Sequence, residues 1–388
     1  MHIGINALYL LPGKVGGAET YTRNLVKWLL AVDPHNTYSI FINEESAGIF
    51  EALAPGITVV PCPIKATRRP VRILWEQCVL PFQVRSRKID VLLSTGLTSP
   101  VICSATSVLV IYDLQHENQP QNFSKLYLQF LKSIIRASAK SADAILTISN
   151  QVKNDVIKYY HIRPEQIEVT YLGVDRELFK ADRAPLTPEM RQKYRLPDRY
   201  LLYAAASLPH KNHARLFAAL QHAKKQIPAL KLVLIGARDK GEDTLAREIR
   251  RLGLEEDVVL LGWIPFEDVP SIYQGCEAFV FPTLHEGFGL PVIEAMACGD
   301  PVICSHIEPL IEVAGDAALF VDSLDSEAIG NAIVSLLNDP AARSALVQKG
   351  HQRAGEFAWE ATARKTLSFI ESVAGGAAAS VRGSKAPL

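Results

Sequence analysis

The chain has 388 residues, 48% hydrophobic and 21% charged, which predicts two or at most three folded domains with sizeable cores. Lys plus Arg and Asp plus Glu both number 41, so the formal net charge is zero, which argues against a nucleic-acid-binding protein. No run approaches the ~18 uncharged apolar residues of a transmembrane helix. The apolar start Met1–Leu11 is typical of a buried strand rather than a signal peptide. Six cysteines without a C-x-x-C pair indicate reduced thiols and no metal site.

In the first half of the chain, short apolar runs alternate with helical patterns. The predicted strands are His2–Ala7, Tyr38–Ile42, Val91–Ser94, Ser107–Tyr112 and Ala144–Ile148. The predicted helices are Ala18–Leu30 and one that begins after an N-cap at Ser149. This alternation predicts βαβ units and a parallel sheet.

A polar segment with three prolines, Lys180–Pro197, is predicted to be a linker, after which the alternation resumes. The strands predicted there are Tyr200–Ala205, Leu230–Ile235, Val258–Leu261, Ala278–Phe281 and Pro301–Cys304. The helices predicted there are His213–Gln226, Thr244–Leu252, Val292–Cys298, Ala328–Leu337 and Glu360–Val373. We therefore predict an α/β protein of two Rossmann-like, doubly wound domains, 1–180 and 181–360, that face each other across a cleft. A C-terminal helix (361–375) and a disordered tail (376–388) follow.

The clearest functional motif follows the predicted strand Ala278–Phe281 and reads His285-Glu286-Gly287-Phe288-Gly289-Leu290-Pro291-Val292-Ile293-Glu294. Its glycines let the backbone approach a ligand, and the predicted helix N-terminus offers N–H groups and a dipole to a diphosphate. Carboxylates at Glu286 and Glu294 would repel phosphate unless they accept hydrogen bonds from sugar and ribose hydroxyls. The alternative is a glycine turn with two solvated glutamates.

This E-x(7)-E spacing with a G-F-G-L-P interior resembles the donor-site motif of family 4 retaining glycosyltransferases, which have the GT-B fold. The similarity continues through 297–302 and 312–316 and covers most of the chain. It implies that Glu294 holds the ribose hydroxyls and that Glu286 faces the transferred sugar. The donor-binding residues implied by the resemblance are Gly16, Gly17, Ser207, Lys211, Glu286, Gly287, Phe288, Gly289, Leu290 and Glu294.

Lys211 follows the predicted strand Tyr200–Ala205 and can offset the charge that grows on a leaving diphosphate. Family members usually carry an arginine about five residues earlier, but residues 204–207 read Ala-Ala-Ala-Ser. Either Lys211 acts with the helix N-terminus alone, or a residue from elsewhere substitutes. Asn212 and His213 are interpreted as helix-start residues.

Two loops of the first half complete the resemblance. Gly16 and Gly17 match the glycines that bring the N-domain loop to the donor phosphate and acceptor, although a structural turn is the alternative. Where the family has His-Asp, this chain has Tyr112 and Asp113, with His116 three residues later. Tyr112 or His116 takes the place of the usual histidine, and Asp113 orients the loop or assists the acceptor. The predicted catalytic residues are thus Glu286, Lys211, His116, Asp113 and Tyr112.

The resemblance also implies the reaction. The sugar keeps its anomeric configuration in a front-face displacement, the N-domain binds the acceptor, and the last helix crosses back to the N-domain. The sequence has no D-x-D motif, so we expect no metal and no cofactor, the nucleotide sugar being a substrate. Trp75-Glu76-Gln77 and Leu80-Pro81 resemble a subset that includes many mannosyltransferases. We therefore expect hexose transfer from GDP-mannose or a UDP-sugar to a glycan or lipid-linked acceptor.

A basic segment over 65–88 surrounds the apolar stretch Ile73–Phe82. Its cations are Lys65, Arg68, Arg69, Arg72, Arg85, Arg87 and Lys88. This pattern is typical of peripheral contact with an anionic membrane and equally of a solvated face beside a core helix. We expect a cytoplasmic protein that acts at the inner face of the membrane.

Three other functions remain as alternatives. A nucleotide-sugar epimerase or hydrolase of the same fold would release nucleotide without an acceptor. A non-catalytic sugar-nucleotide sensor would bind without turnover. An NAD-dependent oxidoreductase is disfavoured, because no G-x-G-x-x-G is followed by an acidic residue about twenty positions later.

Overall fold

The structure is a computed structural model that describes residues 1–181, 186–236 and 242–376. In chain order, its strands are β1 (His2–Asn6), β2 (Thr37–Ile42), β3 (Thr58–Pro61), β4 (Val91–Ser94), β5 (Thr106–Ile111), β6 (Ala144–Thr147), β7 (Ile167–Val169), β8 (Tyr200–Ala204), β9 (Lys231–Ile235), β10 (Val258–Gly262), β11 (Ala278–Phe281), β12 (Val302–Ser305) and β13 (Ala318–Val321). Its helices are α1 (Gly17–Val32), α2 (Ile49–Leu53), α3 (Arg69–Cys78), α4 (Leu80–Ser86), α5 (Gln115–Asn118), α6 (Lys125–Ser141), α7 (Asn150–Tyr160), α8 (Pro188–Tyr194), α9 (His213–Lys224), α10 (Glu242–Leu252), α11 (Val269–Gln274), α12 (Leu290–Cys298), α13 (Glu308–Ala314), α14 (Ser326–Asn338), α15 (Pro340–Ala354) and α16 (Trp359–Ala374).

The chain forms two compact units. Unit 1 comprises Met1–Gly173 and the segment from Trp359 onwards, and unit 2 comprises Val174–Ala358. Within the described residues, unit 1 contains a seven-stranded sheet of order β3-β2-β1-β4-β5-β6-β7, and unit 2 a six-stranded sheet of order β10-β9-β8-β11-β12-β13. Neighbouring strands are parallel in both sheets, which confirms the two Rossmann-like units predicted from the alternating pattern.

Continuous apolar runs form the central strands because both faces of each sheet are covered by helices. Every residue of β4, β5 and β11 is buried, including the side chains of Val91, Leu109 and Phe279. Helix α7 begins as predicted, since the Ser149 hydroxyl accepts a hydrogen bond from the Val152 amide at 3.2 Å. The same parallel topology places the loops that follow β8, β11 and β13 at one edge of the second sheet.

The C-terminal helix α16 belongs to unit 1. The Trp359 ring contacts the Tyr21 ring with a centroid distance of 6.2 Å, and the Thr362 hydroxyl donates to the Tyr171 carbonyl at 2.6 Å. Helix α16 therefore packs on residues that lie far earlier in the chain. The predicted tail lies outside the described residues from 377 onwards.

The linker predicted over Lys180–Pro197 is wrong in part. Residues 188–194 form helix α8, which the Thr187 hydroxyl caps at 3.3 Å from the Met190 amide. Pro188, one of the three prolines that suggested a linker, occupies the first helical turn, where its missing N–H costs no hydrogen bond. Residues 182–185 of the predicted linker lie outside the described residues.

Candidate functional site

Lys211 and Glu286 form an ion pair at the carboxyl edge of the second sheet. Lys211 ends a short 3₁₀ turn after β8, and Glu286 lies in the loop after β11, the strand beside β8. The lysine Nζ donates directly to Glu286 Oε1, and the two side chains are 15% and 14% exposed. The same Nζ lies 5.5 Å from the centroid of the Phe281 ring. Two residues predicted separately from the sequence are thus in contact and partly shielded from water.

Asn212 holds this part of the edge together. Its backbone is left-handed, with φ 61°, and its buried side-chain amide donates to the Pro282 carbonyl at 2.8 Å and to the Ser323 carbonyl at 2.7 Å. One side chain therefore ties the loop that carries Lys211 to the loops after β11 and β13. Its predicted place at the start of a helix is confirmed, because Asn212 is the N-cap of α9 and His213 is the first helical residue.

Aromatic side chains lie close to Lys211. The buried Tyr203 hydroxyl donates to the Lys211 carbonyl at 2.6 Å. Burial lowers the pKa of His210 to about 3, with the Lys211 charge acting in the same direction, so His210 is neutral at physiological pH. The His210 and His285 rings pack edge to face with a centroid distance of 6.3 Å. Sequence analysis gave no role to Tyr203, a buried strand residue, or to His210, which stands directly before Lys211.

Gly289 is the N-cap of α12 and must be glycine. Its φ is +107°, and a Cβ at this position would lie 2.4 Å from Leu310 Cδ2. Leu290 begins the helix and Pro291 occupies the first turn. The predicted arrangement of glycine loop, proline and helix N-terminus is therefore present, and it provides the positive dipole end that attracts anions.

Phe288 has a packing role in addition to any backbone contact. Its ring is buried against Phe357 with a centroid distance of 5.8 Å. The Arg353 guanidinium lies 5.1 Å from the same Phe357 ring and donates to the carbonyls of Val313 and Glu312 at 2.9 and 2.7 Å. This packing holds the glycine loop around Phe288 against the end of α15.

Glu294 lies one turn into α12 and is partly buried. Burial raises the pKa of its carboxyl group to about 7. The Tyr273 hydroxyl donates to Glu294 Oε2 across 3.4 Å, a long and therefore weak hydrogen bond. Unlike Glu286, this carboxylate has no cationic partner within 4 Å among the described residues, so its charge depends on pH near neutrality.

Ser207, predicted to bind the donor, lies in the loop after β8. It lines a small cavity together with His213, Gly236 and Gly262, at the carboxyl ends of β8, β9 and β10. A Cβ on Gly236 would lie 2.2 Å from the Ala205 carbonyl oxygen, so the backbones of two neighbouring strand ends touch there. The loop after β8 has no arginine, as its sequence shows.

Gly16 and Gly17 stand at the start of α1 in unit 1. Gly16 has φ +53° and is the N-cap, and Gly17 is the first helical residue. A Cβ at either position would meet no atom within 4 Å, so the requirement for glycine at Gly16 is conformational rather than steric. The loop before the helix is held by Glu19, which accepts from the Gly13 amide at 2.7 Å.

The structure separates Tyr112 from Asp113 and His116. The Tyr112 hydroxyl donates to the Thr95 carbonyl at 2.5 Å, within a partly buried hydroxyl network that includes Tyr9 at 3.3 Å. Burial raises the pKa of Tyr112 well above its usual value. Asp113 and His116 instead line one cavity of unit 1. His116 is buried, its Nε2 lies 2.8 Å from the Tyr160 hydroxyl, and burial lowers its pKa, so it is neutral at pH 7.

The basic segment forms two short helices, α3 and α4, that meet at Val79. Arg72 points inward and pairs with Glu76 at 3.1 Å, both side chains being buried. The outward face exposes large apolar side chains, namely Val71, Leu74, Val79 and Phe82, at 52%, 64%, 38% and 74%. We call these four residues the apolar ridge.

The described residues contain neither a membrane-spanning helix nor a metal-binding cluster nor a disulfide. Within the described residues, no helix combines the length and hydropathy needed to cross a bilayer. In the same part of the chain, no three His, Cys, Asp or Glu side chains come together as a metal-binding group. All six cysteines lie in the described part and are thiols, of which Cys62, Cys298 and Cys304 are buried and Cys78 is exposed.

Comparison with known proteins decides the family. The model described as "Glycosyl transferases group 1" matches residues 187–353, and the model described as "Glycosyltransferase Family 4" matches residues 15–178. An O-antigen chain mannosyltransferase of Escherichia coli is 32% identical over 267 residues, which are 68% of this chain and 69% of the relative. The chain belongs to the family 4 glycosyltransferases. The resemblance seen in the sequence is thereby confirmed.

Other comparisons agree with this family. An O-antigen chain mannosyltransferase of Salmonella typhimurium is 27% identical over 316 residues, which are 79% of this glycosyltransferase and 83% of the relative. A sucrose-phosphate synthase from Thermosynechococcus elongatus has a similar fold, with a TM-score of 0.78 and 20% identity over 97% of this chain and 100% of that one. The predicted GT-B fold and glycosyltransferase activity are confirmed.

Proposed function

We propose that this glycosyltransferase moves a mannosyl group from a nucleoside diphosphate mannose to a glycan or lipid-linked acceptor, with retention of configuration. The names of its relatives support mannose, with GDP-mannose as the first donor to test and UDP-sugars as the second. One observation carries the proposal: the Lys211–Glu286 ion pair lies at the strand edge that also presents the α12 N-terminus and Glu294.

The donor is held in unit 2 by complementary charge. The diphosphate lies at the N-terminus of α12, where the helix dipole and the Lys211 ammonium group attract it. Glu294 accepts hydrogen bonds from the ribose hydroxyls, and Gly287, Gly289 and Leu290 bring the backbone close to the phosphates and sugar. Ser207 lies beside the diphosphate.

Donor binding changes the partner of Lys211. In the structure, Glu286 neutralises the ammonium group. With a donor, the diphosphate takes over Lys211, and the Glu286 carboxylate becomes available to hydroxyl groups of the sugar. The diphosphate and Glu286 therefore compete for Lys211, and the exchange places each charge on the substrate group that it recognises.

In the transfer step, an acceptor hydroxyl oxygen attacks the anomeric carbon on the face from which the diphosphate leaves. The bond from carbon to phosphate oxygen breaks, the new glycosidic bond forms, and the hydroxyl proton passes to an oxygen of the leaving diphosphate. Lys211 stabilises the charge that develops on that diphosphate, an effect for which removal of a single group typically lowers kcat by about 10²–10³-fold. We propose that this cationic group and the helix dipole suffice without a divalent metal ion.

Nucleotide binding tests the donor site. Thermal unfolding is followed with GDP, UDP, ADP, GDP-mannose and UDP-glucose, for the wild type, Glu294→Gln and the exposed control Glu308→Gln. A ligand at 100 times its Kd stabilises the folded state by about 2.7 kcal/mol, which is readily seen as a rise in Tm. We expect a rise for one nucleotide in the wild type and the control and a much smaller rise in Glu294→Gln.

Turnover distinguishes the remaining possibilities. Acceptor-dependent release of free nucleotide supports the transferase. Release without an acceptor would indicate the epimerase or hydrolase, binding without turnover would indicate a sensor, and absence of any nucleotide-dependent rise in Tm would refute the donor site.

We also propose that unit 1 docks on the cytoplasmic face of an anionic membrane through the apolar ridge. Four exposed apolar side chains lie among the exposed cations Arg68, Arg85 and Arg87, and this combination suits a lipid surface. Sedimentation with vesicles of anionic phosphatidylglycerol, compared with neutral phosphatidylcholine, measures it. Phe82→Ser should reduce binding, whereas Leu324→Ser, a control in unit 2 that is 63% exposed, should not. Equal sedimentation of both variants with anionic vesicles would refute the docking surface.

A further inference from the structure

Arg215 lies in the first turn of α9 and joins two loops at the carboxyl edge of the second sheet. Its Nη1 donates to the side-chain oxygen of Asn212 at 3.0 Å, and its Nε donates to the Leu324 carbonyl at 3.1 Å. Asn212 directly precedes α9, and Leu324 lies in the loop after β13. Arg215 belongs to none of the motifs recognised in the sequence, so its contacts appear only in the folded chain.

The arginine completes the hydrogen bonding of the Asn212 amide. Both hydrogens of this amide are already used, because Nδ2 donates to the Pro282 carbonyl at 2.8 Å and to the Ser323 carbonyl at 2.7 Å. The amide oxygen needs a donor, and the Arg215 guanidinium supplies it. With its oxygen held toward Arg215, the amide must turn its nitrogen toward the two carbonyls. Arg215 therefore fixes the orientation in which Asn212 ties the loops together.

The position of this cation is unfavourable for the helix itself. A positive charge in the first turn opposes the helix dipole, and α9 has no acidic residue in its first turn to offset it. The two hydrogen-bond partners of Arg215 are neutral oxygens, and no carboxylate lies within 4 Å of its guanidinium among the described residues. The charge is thus placed where it serves the neighbouring loops rather than α9.

Arg215 and Asn212, which we call the loop clamp, act on both partners of the ion pair. Lys211 directly precedes Asn212, so the left-handed backbone of Asn212, with φ 61°, sets the direction in which the Lys211 side chain leaves the chain. The amide of Asn212 also holds Pro282, in the loop after β11 that carries Glu286. The placement of the Lys211 ammonium group at the sheet edge therefore depends on one oriented amide.

We propose that Arg215 is a positioning residue that holds Lys211 at the donor diphosphate by orienting the Asn212 amide. Arg215 acts through Asn212 and does not contact the substrate. This proposal rests on the proposed transfer function, because it concerns the lysine that stabilises the leaving diphosphate. Without Arg215 the amide can rotate and the loop that carries Lys211 can move, and a displacement of about 1 Å in a positioned group can lower a rate about 10²-fold.

Steady-state kinetics with GDP-mannose as the first donor measure this effect. Arg215→Ala should lower kcat about 10–100-fold and change KM for the donor less than about 3-fold, because Lys211 acts most strongly in the transition state. Arg215→Lys should recover part of the activity, since an ammonium group reaches one of the two oxygens but does not span both. The matched control is Arg251→Ala, which removes an exposed arginine paired with Glu248 in its own helix and should leave kcat unchanged.

A double-mutant cycle shows whether Arg215 acts through Lys211. In a Lys211→Ala background, Arg215→Ala should change kcat less than about 2-fold, because the group that it positions is gone. Thermal unfolding of each variant confirms that it is folded at the assay temperature. The same fold-loss in both backgrounds would show general damage to the edge of the sheet and would overturn the proposal. A wild-type kcat in Arg215→Ala would also overturn it.

Nucleotide binding separates the positioning role from the transfer function. Titration calorimetry gives the affinities of each variant for GDP and GMP, and for UDP and UMP, since the second phosphate reports on Lys211 without turnover. Arg215→Ala should lower the preference for the diphosphate by about 5-fold or more, as Lys211→Ala should, whereas Arg251→Ala should not. If Lys211→Ala keeps both this preference and kcat, the proposed role of Lys211 fails, and the positioning role fails with it. If Lys211→Ala lowers both and Arg215→Ala lowers neither, only the positioning role fails.

Discussion

Replacement of Glu294 by glutamine should stabilise the protein without ligand and weaken its binding of nucleotide. The folded-state pKa of Glu294 is about 7, compared with 4.5 for an unperturbed carboxyl group, because burial disfavours the charged form. At about 1.36 kcal/mol per pKa unit, the carboxylate destabilises the folded state by roughly 3 kcal/mol when it is fully ionised. Glutamine is similar in shape, can still accept the Tyr273 hydrogen bond and carries no charge.

The sign of the pH dependence follows from linkage. Because folding raises the pKa, the folded protein holds this proton more tightly than the unfolded chain does. The stability from the protonated carboxyl is fully present below pH 4.5 and is lost as pH rises to about 7. Glu294→Gln should therefore exceed the wild type in free energy of unfolding by about 3 kcal/mol at pH 8 and by less than about 1 kcal/mol at pH 5.

Urea unfolding at pH 5 and pH 8 measures this difference. Glu308→Gln, at an exposed position of α13, is the control and should change stability little at either pH. A Glu294→Gln variant that is no more stable than the wild type at pH 8, or whose gain in stability is the same at both pH values, would refute a destabilising carboxylate at this position. A stabilised variant that has also lost nucleotide affinity would identify Glu294 as a residue retained for binding at the expense of stability.

Three further predictions concern the same edge of unit 2. Nucleotide binding at pH 6.5 should release protons, because ribose hydroxyls favour the ionised form of Glu294. Calorimetry in buffers of different ionisation enthalpy measures this release. No proton release should occur in Glu294→Gln. Gly289→Ala should lower the free energy of unfolding by about 2–4 kcal/mol, because the new Cβ meets Leu310 and φ is positive. Gly253→Ala, which has a positive φ but open space around the Cβ, should lower it by about 1 kcal/mol. Urea unfolding measures both changes. Transfer activity should survive excess EDTA, and loss of activity that Mg²⁺ or Mn²⁺ restores would contradict the metal-free proposal.

Local sequence patterns were sufficient to predict much of the fold. Alternating β-rich runs and amphipathic helices predicted the parallel strands of both units, because buried parallel strands and their covering helices leave strong signals in short windows. The strands β3, β7 and β13 were missed. All three lie at sheet edges and are only partly buried, so their apolar pattern is weaker than that of the equally short strands β4, β6 and β11. Helix α8 was missed because a polar segment with three prolines was interpreted as a linker, although one of them, Pro188, is favourable in the first turn of a helix.

The candidate site, like the fold, was predicted in part from local sequence. The glycine loop, Pro291 at the start of α12 and the spacing of Glu286 and Glu294 all lie within one short segment. The sequence alone therefore determined that a helix N-terminus with two nearby carboxylates follows β11. The family of the protein was recognisable from that segment. Its fold class followed from the alternation of strands and helices.

Only the tertiary structure decided what those residues contact. It joined Lys211 to Glu286 across 75 positions and buried Glu294 enough to raise its pKa. It also placed the Tyr112 hydroxyl in a partly buried network and set Arg69 beside Tyr127. Contacts between distant segments and the loss of water around a charge depend on how strands and helices pack. Neither can be predicted from the short-range residue spacing that indicates the individual strands and helices.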